Sequence, residues 1–499
     1  MTTTKSAVGL RSERGPILLA VMLSMGLIAI DSTIIATAVP AIVRDVGGFS
    51  QFPWLFSIFL LAQAVSVPIY GKLSDMVGRK PVMLIGIAVF LLGSLLCGAA
   101  WSMPVLIASR AIQGLGAGAV APMAMTMVGD LYSVEERARV QGYLGSVWGI
   151  ASIVGPTLGG VFSDYASWRW IFYVNLPIGA LAAFVLWRRF EERVGRRQHR
   201  IDFAGAGLLA AGFSLLILAL LEGGARWGWT SPTTVTLILV GLALLVACVF
   251  VERRASEPVL PPWVFTRRVL VGGNLASLLV GALLIGLTSY VPTYAQGVLS
   301  TSALVAGLAV GAMSIGWPLS SAFAGRVYMR VGFRDTAFIG CTSVLLGTSL
   351  MLLLSGDSSI WMVAVFCFII GAGLGFVASP TLVAVQSVVG WDQRGVVTGA
   401  NVFARSVGSA VGVAAFGAIA NATIGRQLDD APTSTDGDLP KTADDVLNSL
   451  DSDAGEAVKV FVRDALELAS HHVFIGVLSV AALLAVSIAL IPRHVETTR

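Results

Sequence analysis

Long apolar runs recur along the chain from end to end, separated by short stretches where charge, glycine and proline gather. Fourteen runs can be delimited, near 16–39, 52–70, 82–100, 104–128, 140–162, 170–187, 203–221, 233–251, 270–294, 302–324, 335–354, 360–385, 396–420 and 472–492. Each approaches the roughly 20 residues an α-helix needs to cross the hydrocarbon core of a bilayer. The pattern therefore predicts an all-α integral membrane protein with fourteen spans, and an even count puts both termini on one side. The first run is too long for a signal peptide and is interrupted by Asp31, so it reads as an uncleaved span.

Two of the polar breaks are alike. Gly71-Lys72-Leu73-Ser74-Asp75-Met76-Val77-Gly78-Arg79-Lys80 packs one acid, three bases and turn glycines into ten residues, which predicts a tight loop at the membrane surface. Gly325-Arg326-Val327-Tyr328-Met329-Arg330-Val331-Gly332-Phe333-Arg334 is a frayed copy 254 residues later, with Met329 where Asp75 stands. The brackets follow runs 2 and 10. Runs 1–6 and 9–14 are then equivalent halves, an arrangement known from transporters built of parallel repeats. The expected division is a six-helix bundle over 1–200, an inserted pair over 201–268 and a second six-helix bundle over 269–499. A weaker echo agrees: Gly142, Gly149 and Gly155 in run 5 against Gly399, Gly408 and Gly412 in run 13.

Charge sharpens this picture. Only 12% of residues are charged, 56% are hydrophobic and the mean hydropathy is +0.82, whereas soluble domains carry about 25% charge. Of the 33 Lys+Arg, 24 fall on the side of the N-terminus, seven on the other and two, Arg110 and Arg405, within runs. By the positive-inside rule both termini are cytoplasmic. The net charge of +4 is no sign of a nucleic-acid partner, because the bases sit in short loops beside the runs. Arginine outnumbers lysine 28 to 5, which hints at a GC-rich bacterial genome and hence a bacterial cytoplasmic (inner) membrane. Cys97, Cys248, Cys341 and Cys367 fall singly in apolar runs and read as small buried hydrophobes, without metal spacing. Residues 421–470 hold eleven acids against four bases and read as an acidic external loop. Its first half is expected to be flexible. Its second half can form an amphipathic helix through Val458, Phe461, Val462, Ala465 and Leu466.

Five motifs, in order, resemble the major facilitator superfamily, and more narrowly its fourteen-span drug:proton antiporters of the EmrB/QacA type. Asp31-Ser32-Thr33-Ile34-Ile35-Ala36-Thr37-Ala38-Val39-Pro40 is similar to that group's first-span motif, and Asp75, Gly78, Arg79 and Lys80 match the superfamily loop together with Gly71. Arg110-Ala111-Ile112-Gln113-Gly114 resembles the fourth-span motif, Gly155-Pro156-Thr157-Leu158-Gly159-Gly160 the antiporter motif of span 5, and Trp168-Arg169-Trp170-Ile171-Phe172 with Asn175 and Pro177 the start of span 6. Where the antiporter motif usually opens with glycine, this chain has Ala151. The resemblance implies a major facilitator fold of two six-helix bundles plus two inserted helices. It also implies proton-coupled export of lipophilic small molecules by alternating access, with no cofactor and a monomer as the working unit.

The residues carry their own chemistry. Asp31 is the only acid deep within a run, so its carboxylate is either paired or able to exchange a proton, with Arg110 at comparable depth as its candidate partner. Neighbouring hydroxyls, Ser32 or Thr33, are the competing partners. Asp75 is the candidate latch between halves, facing a helix end or an arginine. Gly155 and Pro156 suit a bend at the interface between halves. Gln113, Trp148, Tyr290, Tyr294, Asn401 and Arg405 are candidate cavity residues. Arg405 could meet an anionic substrate group, a lipid head or backbone carbonyls. The chain contains no P-loop and no zinc or nucleophile motif, and its four histidines sit in loops or at run ends. That weighs against a membrane-embedded enzyme and against ATP-driven pumping. A lipid or glycolipid exporter of the same fold, and a nutrient importer, stay open at this point.

Overall fold

The computed structural model describes residues 9–10, 12–47, 51, 54–192, 202–223, 227–429, 456–493 and 495. Among them the chain is helical, with one isolated bridge between Gly223 and Trp227 in place of any strand. Fifteen α-helices follow one another: α1 (Gly15–Val46), α2 (Trp54–Val77), α3 (Arg79–Gly98), α4 (Met103–Leu131), α5 (Val134–Tyr165), α6 (Trp170–Tyr173), α7 (Asn175–Arg189), α8 (Phe203–Glu222), α9 (Pro232–Glu252), α10 (Arg268–Gly297), α11 (Ala303–Val331), α12 (Phe333–Met351), α13 (Ile360–Ser387), α14 (Arg394–Asp429) and α15 (Glu456–Ala489). Helix stands on every predicted apolar run, the single turn of α6 leading into α7. Among the described residues twelve stretches, against the fourteen expected, are long and apolar enough to cross a membrane. α5 and α12 are not among them; α12 carries Arg334 and Asp335 at its start.

The apolar side chains sort into separate cores. Helices α1 to α7 bury one cluster around Leu27, Phe90 and Met123 and another around Ile35, Leu106 and Phe172. Helices α10 to α15 share a larger cluster running from Ala276 to Ile488. The two bundles meet at two crossings, α5 on α11 and α2 on α14. Glycine makes both possible. A Cβ on Gly142 would stand 2.8 Å from that of Ala322, and one on Gly71 would stand 2.7 Å from the carbonyl oxygen of Gly395. Within each bundle the same two helices also grip a partner, Gly155 of α5 against α1 and Gly408 of α14 against α10. These four contacts are reciprocal under the register that pairs α5 with α14, α2 with α11 and α1 with α10. The pair α8–α9 lies outside that exchange but touches both bundles. Phe213 of α8 meets Phe403 edge-on at 4.5 Å, and Ile217 sits beside Ala64 and Ala410.

Two expectations need correction. The Gly71–Lys80 bracket is almost entirely helical, because α2 runs on to Val77 and α3 starts at Arg79. Only Gly78 breaks the path, with φ of 100°, a conformation that suits glycine alone. Gly332 does the same between α11 and α12, with φ of 90°. The acidic stretch 421–470 is helical at both ends: α14 continues to Asp429 and α15 begins at Glu456, while 430–455 lie outside the described residues. As the amphipathic pattern predicts, α15 buries Val458, Val462, Ala465 and Leu466, with Phe461 half-buried. The segment expected to be flexible, 430–437, lies outside the described residues.

Candidate functional site

At the bracket end the halves are tied together. Asp75 is 7% exposed, and its two carboxylate oxygens accept from the backbone N–H groups of Gly395 and Val396, both at 2.8 Å. These are first-turn amides of α14, which have no partner within their own helix and form the positive end of its dipole. A carboxylate of one half thus caps a helix of the other. The helical path through Ser74 and Met76 also lets Arg79 reach back to Asp75 at 3.0 Å. Arg79 is fully buried. It donates to Asp130 at 2.9 Å, to the carbonyl of Ser74 at 3.0 Å and to the carbonyl of Trp391, and it stacks 3.7 Å over the Trp391 ring. Arg394 donates to the other Asp130 oxygen at 2.9 Å, Gln386 to the carbonyl of Met125 at 3.1 Å, and the Tyr328 hydroxyl to the carbonyl of Val134. Lys80 faces away and donates to the carbonyl of Trp187 at 2.8 Å. Met329, at the position equivalent to Asp75, is 50% exposed, so the second bracket carries no acid for such a bond.

A second polar cluster lies inside the N-terminal bundle. Asp31, in the middle of α1, is 1% exposed and bonds to three side chains. It accepts from Arg110 Nη1 at 2.5 Å, from Gln113 Nε2 at 2.7 Å and from Asn175 Nδ2 at 3.2 Å. Arg110 also donates to Gln113 Oε1 at 2.7 Å and to the carbonyl of Leu55 at 3.0 Å, and sits 4.1 Å over the ring of Phe59. Ser94 completes the set, accepting from Gln113 at 3.1 Å and from Asn175 at 2.9 Å. The hydroxyl alternatives do not hold: Ser32 and Thr33 both donate to the carbonyl of Ala29. Gln113, expected in the cavity, belongs to this cluster instead and is fully buried.

The antiporter-like motif borders this cluster rather than the interface between halves. A Cβ on Gly155 would stand 2.0 Å from Thr33 Oγ1, and one on Gly159 would stand 2.1 Å from Thr37 Oγ1. The motif therefore seats α5 on α1 one turn beyond Asp31, inside one bundle. Thr33 adds a hydrogen bond of 3.0 Å to the carbonyl of Ala151, where the family pattern has glycine. Gly160 faces open space. The Pro156 side chain lies outside the described residues. The interface between halves is reached earlier in α5, through Gly142, Gly145 and Gly149. At the far end of this bundle Trp168 and Arg169 hold Asp45, at 3.0 and 2.6 Å. The Arg169 guanidinium and then the indole N–H keep the Asp45 carboxyl below the usual carboxylate range.

Between the halves lies a cavity of about 440 Å³. Residues of α1, α2, α4 and α5 line it from one side and residues of α10, α11, α13 and α14 from the other. Trp148, Asn401 and Arg405 reach it as expected. Tyr290 and Tyr294 do not: Tyr294 is 1% exposed in the C-terminal core and donates to the carbonyl of Ser355 at 2.6 Å, and Tyr290 packs against the same core. Sequence reasoning missed Ser94, Asp130, Trp391 and Arg394, and gave Asn175 no role. Their partners lie 19 to 312 residues away, so no local spacing marks them.

The Major Facilitator Superfamily family model matches residues 21–413. The chain is 36% identical to "Multidrug resistance protein 3" of Bacillus subtilis (strain 168) over 415 residues, 83% of this chain and 81% of that one. It is 35% identical to "Multidrug transporter protein MdtP" of the same organism over 425 residues, 85% of this chain and 79% of that one. Among solved structures, the human organic anion transporter MFSD10 superposes with a TM-score of 0.61 at 16% identity, over 94% of this chain and 99% of that one. Helices around a central cavity, a carboxylate joining the two halves and this family match lead to one assignment: the chain is a transporter, not an enzyme, and belongs to the major facilitator superfamily.

Proposed function

We propose that the protein is a proton-coupled exporter of amphipathic small molecules, working by alternating access from a bacterial cytoplasmic membrane. The carrying observation is the cavity between two halves that are bonded to each other at the bracket end, together with relatives named as multidrug transporters. With both termini cytoplasmic, the bracket end is the cytoplasmic end, and the described state is the one closed toward the cell interior. α5 and α12 also cross the membrane in this reading, for fourteen spans of the EmrB/QacA type, divided 1–200, 201–268 and 269–499.

Coupling runs through α5. Its first half grips α11 across the interface, and its Gly155 and Gly159 grip α1 beside Asp31. In the state closed at the bracket end, Asp31 takes up a proton from the outer side and gives up its contact with Arg110. When the halves rock apart at the bracket end, α5 moves with one of them and shears against α1. That restores the Asp31–Arg110 contact and expels the proton to the cytoplasm, so proton entry is linked to export. Everted membrane vesicles incubated with a fluorescent amphipathic dye test this. Dye uptake should follow an imposed inward-acidic gradient and collapse when the gradient is removed. Uptake that is indifferent to the gradient rules out the proton coupling, and transport of fluorescent lipid with no transport of dye favours a lipid exporter.

A further inference from the structure

Of the 28 described residues that line the central cavity, Arg405 is the only ionisable one. It lies about 16 Å along α14 from the helix start, at 1.5 Å per residue, and so well inside the span. Its side chain makes no ion pair and no hydrogen bond among the described residues, and no Asp or Glu lines the cavity. Other buried charges have partners: Arg110 pairs with Asp31, Arg79 with Asp75 and Asp130, Arg137 donates to the carbonyls of Tyr132 and Gly129, and Glu252 accepts from the amides of Val259 and Leu260. An unpaired guanidinium deep in a membrane protein is costly and persists where it faces a cavity or ligand. We propose that Arg405 anchors the acid group of the transported molecule, so that the substrates are amphipathic organic anions bearing a carboxylate or sulfonate. This rests on the export reading above and names the substrate class for that same cavity.

The rest of the lining fits such a molecule. The planar fork of arginine pairs with two oxygens of a carboxylate or sulfonate at once. Ser406 and Ser409 share its helix face, and Ser277 and Thr288 line the cavity from α10. Trp148 and Trp317, with Met25, Met125 and Met313, offer a broad, adaptable apolar wall for the body of the ligand. The volume of about 440 Å³ is in the range that takes drug-sized molecules. A cation would enter a cavity whose one charge repels it. A neutral molecule would leave that charge without a counterion.

The test uses three coumarin dyes of one size bearing a carboxylate, a carboxamide or a trimethylammonium group, in everted vesicles and in proteoliposomes of phosphatidylcholine. The wild-type protein should move the carboxylate with the lowest apparent KM. Arg405→Gln should cut the anion-over-cation preference by about 10- to 100-fold, the value of a hydrogen bond to a charged group, and Arg405→Lys should restore most of it. Transport of the cation and the amide but not the carboxylate would overturn the inference while leaving export intact, as would an unchanged preference in Arg405→Gln. If phosphatidylglycerol in the proteoliposomes abolishes carboxylate transport, the anchor belongs to lipid headgroups and the inference falls. If none of the three dyes moves under a full gradient, the export reading itself falls. The wild-type comparison stands even if a variant fails to fold.

Discussion

At the scale of single residues, the Asp31 cluster is the proposed seat of proton coupling. Its carboxylate accepts three hydrogen bonds, one of them from a guanidinium, in a site closed to solvent. Asp31→Asn should therefore cut gradient-driven dye extrusion at least tenfold while the protein remains able to bind dye, as read from fluorescence titration of the purified protein; extrusion at the wild-type rate would remove Asp31 from the mechanism. Arg110→Ala removes the cation and leaves Asp31 buried and uncompensated. Breaking one side of such a pair costs about 3–5 kcal/mol, so Arg110→Ala should lower the thermal unfolding midpoint clearly, and Asp31→Asn combined with it should recover part of the loss. The pairing of Asp31 with Arg110 was legible in the sequence from their type and depth. The share taken by Gln113, Asn175 and Ser94 was not, because an amide or hydroxyl in an apolar run looks the same whether it packs, lines a cavity or holds a carboxylate.

At the scale of elements, two helix ends and one helix body carry the conformational work. Asp75 capping α14 is a bond between halves that must break whenever the bracket end opens, so it contributes to the closed state alone. Asp75→Asn replaces one acceptor by a donor facing an N–H, a loss of about 1.5–3 kcal/mol for bonds to a charged group. Populations should shift roughly tenfold or more toward the open bracket end, seen as a longer distance between spin labels at Glu135 and Val331, which is exposed at the same end of α11, whereas Met329→Ala should shift nothing. In α5, Gly155→Val should abolish coupled transport by forcing α1 away at Thr33, and Gly160→Ala should be neutral because its added methyl meets no atom. Equal damage from both would show that the motif is needed only for insertion or folding. The antiporter-like motif could be read from sequence as a close helix contact. Which helix it touches could not be read, since a glycine step fits any partner that approaches.

For the molecule as a whole, the reciprocal contacts of α5 and α14 explain how one rocking motion can open either end. Each bundle lends two helices to the interface, and one of them, α5 or α14, also grips its own first span. The bundles are nonetheless unequal. The N-terminal one holds the paired acid, the C-terminal one holds Arg405 in the cavity, and only the first bracket carries an acid. The pair α8–α9 leans on both bundles, and Lys72 of the first bracket meets Glu257 beyond α9 at 3.2 Å, so the insert is joined to the closing end. The proposed fourteen crossings with cytoplasmic termini make a sharp topological forecast. Cysteines introduced at Ser167 and Gly228 should react with an impermeant maleimide from outside intact cells, and those at Glu191 and Arg254 only after permeabilisation; the four native cysteines are buried. Labelling of Glu191 from outside would mean that α5 does not cross.

Apolar run length determined by itself that this chain is a helical membrane protein, because the bilayer allows few other solutions, and the two like brackets marked its internal repeat. The motifs marked Asp31, Arg110 and Asp75 as charges with work to do. Tertiary structure alone decided whom they meet. Whether the bracket is loop or helix turned on one glycine, and whether the antiporter-like glycines face α1 or the other half turned on the rotation of α5. Whether Gln113, Tyr294 and Arg405 see a carboxylate, a core or an open cavity depended on packing among helices far apart in sequence. Hydropathy reports how much of a helix is apolar; which face meets which neighbour is settled only when all the helices pack together.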